Sequence, residues 1–298
     1  MSPTNYPDAK TTPDETPESL ALFRTAVAAL DAGDVAQLTS LLDLSPWLIT
    51  FRCREGQLYE SGYFAGATLL NHVAGNPIRC SLPANIFEIT QLLLGRGAAA
   101  DTERLKYTVG LLLTSRQASE AGVALPLIDL LVAAGNIEVD LLSSEALDGP
   151  ITNCAPATAR AMIERGAAVD IRHHAAFGEI DALAARLGQP IDQEALERAL
   201  VFACFCGQEA AANLLLKHGA VGDVLIMPNG QPQTALHLAA YNGWREVCEA
   251  MIFNGADATV IEPQWNGTPA GWAREGGHTN LFELLNRRAG EQAAKIGT

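Results

Sequence analysis

Two clusters carry residue types that bind metals: His173-His174 and Cys204-Phe205-Cys206. Zinc needs about four ligands converging on one point, whereas residues one or two apart on a helix leave on different faces. Neither pair therefore chelates from one surface, and only ligands brought in by neighbouring elements would complete a site. His237 is the residue type of a general base, but it sits on an apolar helical face with no partner carboxylate close in sequence to orient it. Gly95-Arg96-Gly97 lacks the third glycine of a dinucleotide loop and follows a leucine-rich helix where that loop demands a strand. No Gly-x-Ser-x-Gly, Walker loop or His-Glu-x-x-His is present. No catalytic set, metal set or cofactor is assigned, and a non-enzymatic chain is expected.

Helices must position all of these residues. Leu20, Phe23, Val27 and Leu30 share one helical face, Asp31-Ala32-Gly33-Asp34 ends it, and Val35, Leu38, Leu41 and Leu42 mark a second helix. Before them, residues 1–18 hold Pro3, Pro7, Pro13 and Pro17 among acidic side chains and are expected as a flexible tail. Thr68 to Ala74 pairs with a helix from about Ala84 to Leu94. A third pair runs Val109 to Thr114 and Leu125 to Ala134, with a loop at Ala118 to Gly122. Leu141 to Cys154 leads into Ala155 to Arg165, and a short fifth pair joins Ile171–Gly178 to Ile180–Leu187. Regularity returns with Leu196 to Leu216, then Thr234 to Met251 behind the hairpin signal Asn229-Gly230, then Thr268 to Leu285. The stop glycines Gly97, Gly135, Gly166, Gly219 and Gly255 recur at intervals scattered about ~33 residues, with two units between Gly166 and Gly219.

A short helix, a glycine break and a second amphipathic helix cannot bury their apolar faces alone, so such units stack. Thr234-Ala235-Leu236-His237-Leu238-Ala239-Ala240, with Thr268-Pro269 and the degenerate Thr68 to Ala74, resembles the T-P-L-H-x-A signature of the ankyrin repeat. Over residues 20 to 288 the chain is similar to bacterial cytoplasmic ankyrin-repeat proteins with an irregular N-terminal half. The resemblance implies an all-α solenoid of about eight helix-turn-helix units over residues 19–290, followed by a tail at 291–298. It also implies that His237 is structural, bridging neighbouring units through hydrogen bonds.

Ankyrin domains commonly engage proteins through hairpin tips and the ends of first helices, and the resemblance carries those positions over. They are Tyr241 and Asn242, Phe205, Phe177 and Glu275, with Gln264 and Trp265 at the last hairpin tip. Aromatic residues are enriched at binding hot spots. Packing between repeats is the competing role for Phe177 and Phe205, so Tyr241 and Trp265 carry most of the expectation.

With 48% hydrophobic and 18% charged residues, the composition is that of a folded chain. A net charge of -14 argues against nucleic acid and anionic membrane as partners and is compatible with a basic protein, although solubility alone explains it as well. The cysteines Cys53, Cys80, Cys154, Cys204, Cys206 and Cys248 lack the paired spacings of a zinc site or disulfide framework and read as reduced core residues. No run reaches membrane-spanning length and the N-terminus lacks a signal pattern, so the cytoplasm is expected; a monomer is expected as well. The expected function is a protein-binding scaffold acting through the concave face of the repeats. A narrower form is an acidic inhibitor or immunity-type binder of a basic protein. An enzyme using a pocket in the irregular stretch 101–190, around His173 and His174, is the alternative of another class.

Overall fold

The computed structural model describes residues 14–52, 66–75, 81–228 and 230–296. The expected tail up to residue 13, Cys53, Cys80 and Asn229 of the hairpin signal lie outside the described residues. The chain divides into two compact units, one of Met1–Leu141 with Asn153–Arg165, the other of Leu142–Thr152 with Gly166–Thr298. Among the described residues there is no strand, only one antiparallel bridge between Ile226 and Gln233.

The first unit opens with α1 (Pro17–Ala32) and α2 (Val35–Leu44). Thr16 caps α1 by accepting from the Ser19 amide, so the helix begins one turn before the apolar periodicity. Leu20, Phe23, Val27 and Leu30 are buried as their spacing requires, and Gly33 ends the helix in the left-handed region. Leu69–Ala74 forms a 3-10 turn rather than an α-helix. Then come α3 (Ile86–Gly95), α4 (Thr102–Thr114), α5 (Arg116–Glu120) and α6 (Ala124–Gly135). The apolar spacing marks only Val109 to Thr114 of α4 and gives Ala118 to Gly122 as loop, where α5 ends. Asp101 starts α4 early by accepting from the Arg104 amide, and Ser115 likewise caps α5 through Ala118.

Asn71 replaces the motif histidine and does comparable bridging work. Its Oδ1 accepts from the Thr68 amide at 2.8 Å, while its Nδ2 donates across to Thr108 Oγ1 of α4 at 2.9 Å. His72 beside it is fully buried, its Nδ1–H donating to the Thr68 carbonyl at 2.8 Å and its ring 5.8 Å from that of Phe23.

The fourth expected pair is split between the two units. α7 (Ser144–Thr152) belongs to the second and α8 (Pro156–Glu164) to the first. In the second unit follow α9 (Ile171–Phe177), α10 (Ile180–Leu187), α11 (Gln193–Phe205), α12 (Glu209–Lys217), α13 (Ala235–Tyr241), α14 (Arg245–Phe253), α15 (Pro269–Glu275) and α16 (Thr279–Ile296). First helices touch in series, α9 on α11, α11 on α13 and α13 on α15; second helices follow, α10 on α12 and α12 on α14. This is a helical repeat solenoid, its alanine- and leucine-rich helices sharing one continuous core. α16 runs on through residues expected as a tail, and Gln292 ties it back by accepting from the Ala258 amide and donating to the Ala256 carbonyl.

Burial raises the thiols of Cys204, well above its ordinary value, and of Cys248, to about 12, as suits reduced core residues. Cys154 departs from the expectation: it is exposed, at a turn with φ 58° between α7 and α8. No described helix is long and apolar enough to cross a membrane.

Candidate functional site

In the second unit, the ends of α11, α13 and α15 and the turn at 265–268 enclose a mostly apolar groove of about 820 Å³. Phe205, Tyr241, Asn242, Trp265 and Glu275 of the expected contact residues line it, while Phe177 and Gln264 do not. Tyr241 is 52% exposed and Trp265 58%. Phe205 is partly buried and packs on the core, in line with its competing role. Asn242 is committed to the scaffold as well, since its Nδ2 donates to the Cys204 carbonyl at 3.0 Å.

The residue at the centre is Trp272, which sequence reasoning missed because it follows Gly271 at a position the repeat motif leaves variable. Its ring meets those of Tyr241 at 6.2 Å, Trp265 at 5.9 Å and His237 at 5.4 Å, each edge to face. Trp265 thus folds back from its hairpin, and the three indole and phenol rings make one surface. Such ring pairs contribute about 0.5–1.5 kcal/mol each beyond burial.

A second missed residue shapes the turn under Trp265. The fully buried carboxylate of Glu262 accepts from the amides of Gln264 at 2.8 Å, Trp265 at 3.1 Å and Gly267 at 2.8 Å. Burial alone would raise this carboxyl, but the Gly267, Trp265 and Gln264 amides and the Trp272 indole together hold it below the usual carboxylate range. A glutamate two to five residues before a hairpin tip is the only signal the sequence offers.

Tyr241 is held from below. His278 Nε2–H donates to its carbonyl at 3.1 Å, and the His278 ring lies where a side chain on Gly243 would be. Gly243 has φ 77°, so glycine is needed there both for conformation and for space. His237 is structural: its Nδ1 accepts from Thr234 Oγ1 at 2.7 Å and its Nε2–H donates to the Gly267 carbonyl of the next repeat at 3.1 Å. Burial lowers its basicity despite the Gly267 contact.

His173 and His174 part ways as their spacing requires. His173 is buried, its Nδ1 accepting from the Asp170 amide at 3.0 Å and its Nε2–H donating to Asp148 at 3.2 Å; His174 Nδ1 pairs with Glu179 at 2.8 Å. No group of residues with metal-holding geometry occurs among the described residues. Around His173 lies an ion network that sequence reasoning did not foresee. Asp148 receives Arg172 Nε at 2.7 Å and Arg198 Nη2 at 2.8 Å, and Arg172 also pairs with Asp170. Burial opposes ionisation of Asp148, but His173 and the two guanidinium groups hold its carboxyl below the ordinary value.

No curated protein matches this sequence. The family model described as ankyrin repeats (3 copies) matches residues 172–262, the stretch from α9 through α14 to Glu262, and the stacked helix pairs of the chain are consistent with an ankyrin-repeat protein.

Proposed function

We propose that this chain is a protein-binding scaffold whose groove on the second unit seats an apolar side chain of a basic protein partner against Trp272, between Tyr241 and Trp265. Ankyrin repeats generally mediate protein–protein interaction and are typically non-enzymatic modules. The observation that carries the reading is a pair of half-exposed aromatic rings, Tyr241 and Trp265, both braced on Trp272. Braced rings lose little freedom on binding, which makes them good anchors. The charge of -14 favours a partner of opposite sign.

The test is to recover the partner by affinity purification from the native host and measure its affinity for the wild type and for Tyr241→Ala/Trp265→Ala. We expect each ring to contribute about 2 kcal/mol of binding while the melting curve stays close to wild type. Unchanged affinity in the double variant rejects this groove. In the same experiment the association rate should fall by roughly tenfold as salt rises from low to above physiological levels; a rate indifferent to salt rejects the basic partner.

A further inference from the structure

The second unit has another cavity, of about 340 Å³, which shares no lining residue with the aromatic groove. Arg172, Arg186 and Arg198 meet there, in a chain that carries 20 basic against 34 acidic residues. Acidic residues line it too, but two of them are already engaged. Asp170 accepts from the Arg172 amide at 3.0 Å and pairs with its guanidinium, and Asp192 caps α11 by accepting from Ala195 at 2.8 Å. Glu194 is exposed.

The donors outnumber the acceptors that reach them. The Arg172 side chain is 7% exposed; its Nε reaches Asp148, yet its Nη2 is buried and makes no hydrogen bond among the described residues, with Glu145 at 3.9 Å. Arg198 repeats the pattern, with Nη2 on Asp148 at 2.8 Å and a buried Nε that makes no hydrogen bond among the described residues. Arg186 Nη1 is held by Gln189 at 2.6 Å, at the edge of the cavity. A buried guanidinium N–H without an acceptor is costly, and the acceptor that matches this planar fork best is a carboxylate.

We propose that this cavity binds a carboxylate, which pairs with the exposed Arg186 and the partly exposed Arg198 beside the buried Arg172 guanidinium. A free small dicarboxylic acid and the C-terminal carboxylate of a peptide present the same chemistry. The full chain is titrated calorimetrically, at constant ionic strength, with succinate, with N-acetyl-dialanine and with N-acetyl-dialaninamide, in wild type, Arg186→Gln and Arg198→Gln. The expected result is saturable binding of at least one of the two acids, none of the amide, and affinity weakened about tenfold in each variant. Binding of succinate marks a free acid as the ligand, and binding of the acetyl-dipeptide alone marks a chain terminus. Arg186 is exposed, so its variant keeps the test valid should Arg198→Gln disturb the fold. Absence of saturable binding by either acid up to concentrations on the order of 10 mM, equal binding of the amide, or affinity unchanged in both variants overturns the proposal.

Discussion

Acid should weaken the first unit through one residue, His72. Its imidazole is fully buried against Phe23, and burial, only partly offset by the Thr68 carbonyl, lowers its pKa from 6.5 to about 4. Between those values the unfolded chain binds a proton that the folded unit refuses. Stability is therefore intact above pH 6.5 and declines as pH falls towards 4. At 1.36 kcal/mol per pH unit, the loss from this group is about 2 kcal/mol at pH 5 and about 3 kcal/mol once pH lies below the folded value. In His72→Gln, which cannot take up the proton, that loss disappears. The variant should be the less stable protein at pH 7, where it lacks the ring contact, and the gap should close by about 2 kcal/mol at pH 5. Urea unfolding at the two pH values, read by pulsed hydrogen exchange on peptides from α1 and from Leu69–Ala74, reports this unit alone. The expected difference corresponds to roughly 1 M in urea midpoint. A gap that stays constant between pH 7 and pH 5, or a His72 ring resonance titrating near 6.5 in the folded protein, would refute the reasoning.

Two further perturbations address the scaffold. Asn71→Ala removes both the bond to the Thr68 amide and the bond to Thr108, and should cost about 2–3 kcal/mol in the same exchange-detected unfolding; a loss below 0.5 kcal/mol, on the order of a neutral surface change, would show the bridge to be idle. Gly243→Ala places a methyl group in the His278 ring at φ 77° and should lower stability by about 2 kcal/mol. Because His278 also holds the Tyr241 carbonyl, this variant should lose partner affinity too, and retained affinity at lowered melting temperature would separate the groove from its support.

The repeats were legible where local chemistry repeats. Thr234 and Thr268 cap helices, Gly219 and Gly255 stop them, and the apolar spacing of α12 to α15 admits no other pairing. Helix starts made by a lone side-chain cap, Asp101 or Ser115, were harder to read because the residues after them lack apolar periodicity. Tyr241 and Trp265 were legible as variable aromatics at known positions of the repeat. Trp272 was not, since a residue's role as a shelf depends on which rings the neighbouring repeat and hairpin bring to it. Glu262 was hidden for a related reason: its partners are backbone amides, which leave no trace in sequence. Nor could sequence place α7 with the second unit, because the ion pairs that hold it span 24 and 50 residues.

Those ion pairs bear on the irregular repeat that begins at α9. Asp170-Ile171-Arg172-His173 stands in register with Thr234-Ala235-Leu236-His237: both cap a helix, and both histidines accept at Nδ1 from the capping residue. The register places Arg172 where the regular repeat buries Leu236. A buried guanidinium is tolerated only with carboxylates against it, and breaking such a pair costs more than replacing it by apolar packing. Asp170 supplies one carboxylate from the cap itself. The other, Asp148, comes from α7, which adds no cap of its own to α9 but brings the acceptor that Arg172, Arg198 and His173 share. α7 thus joins the second unit because of one arginine at a leucine position, and the same arginine lines the cavity beside it.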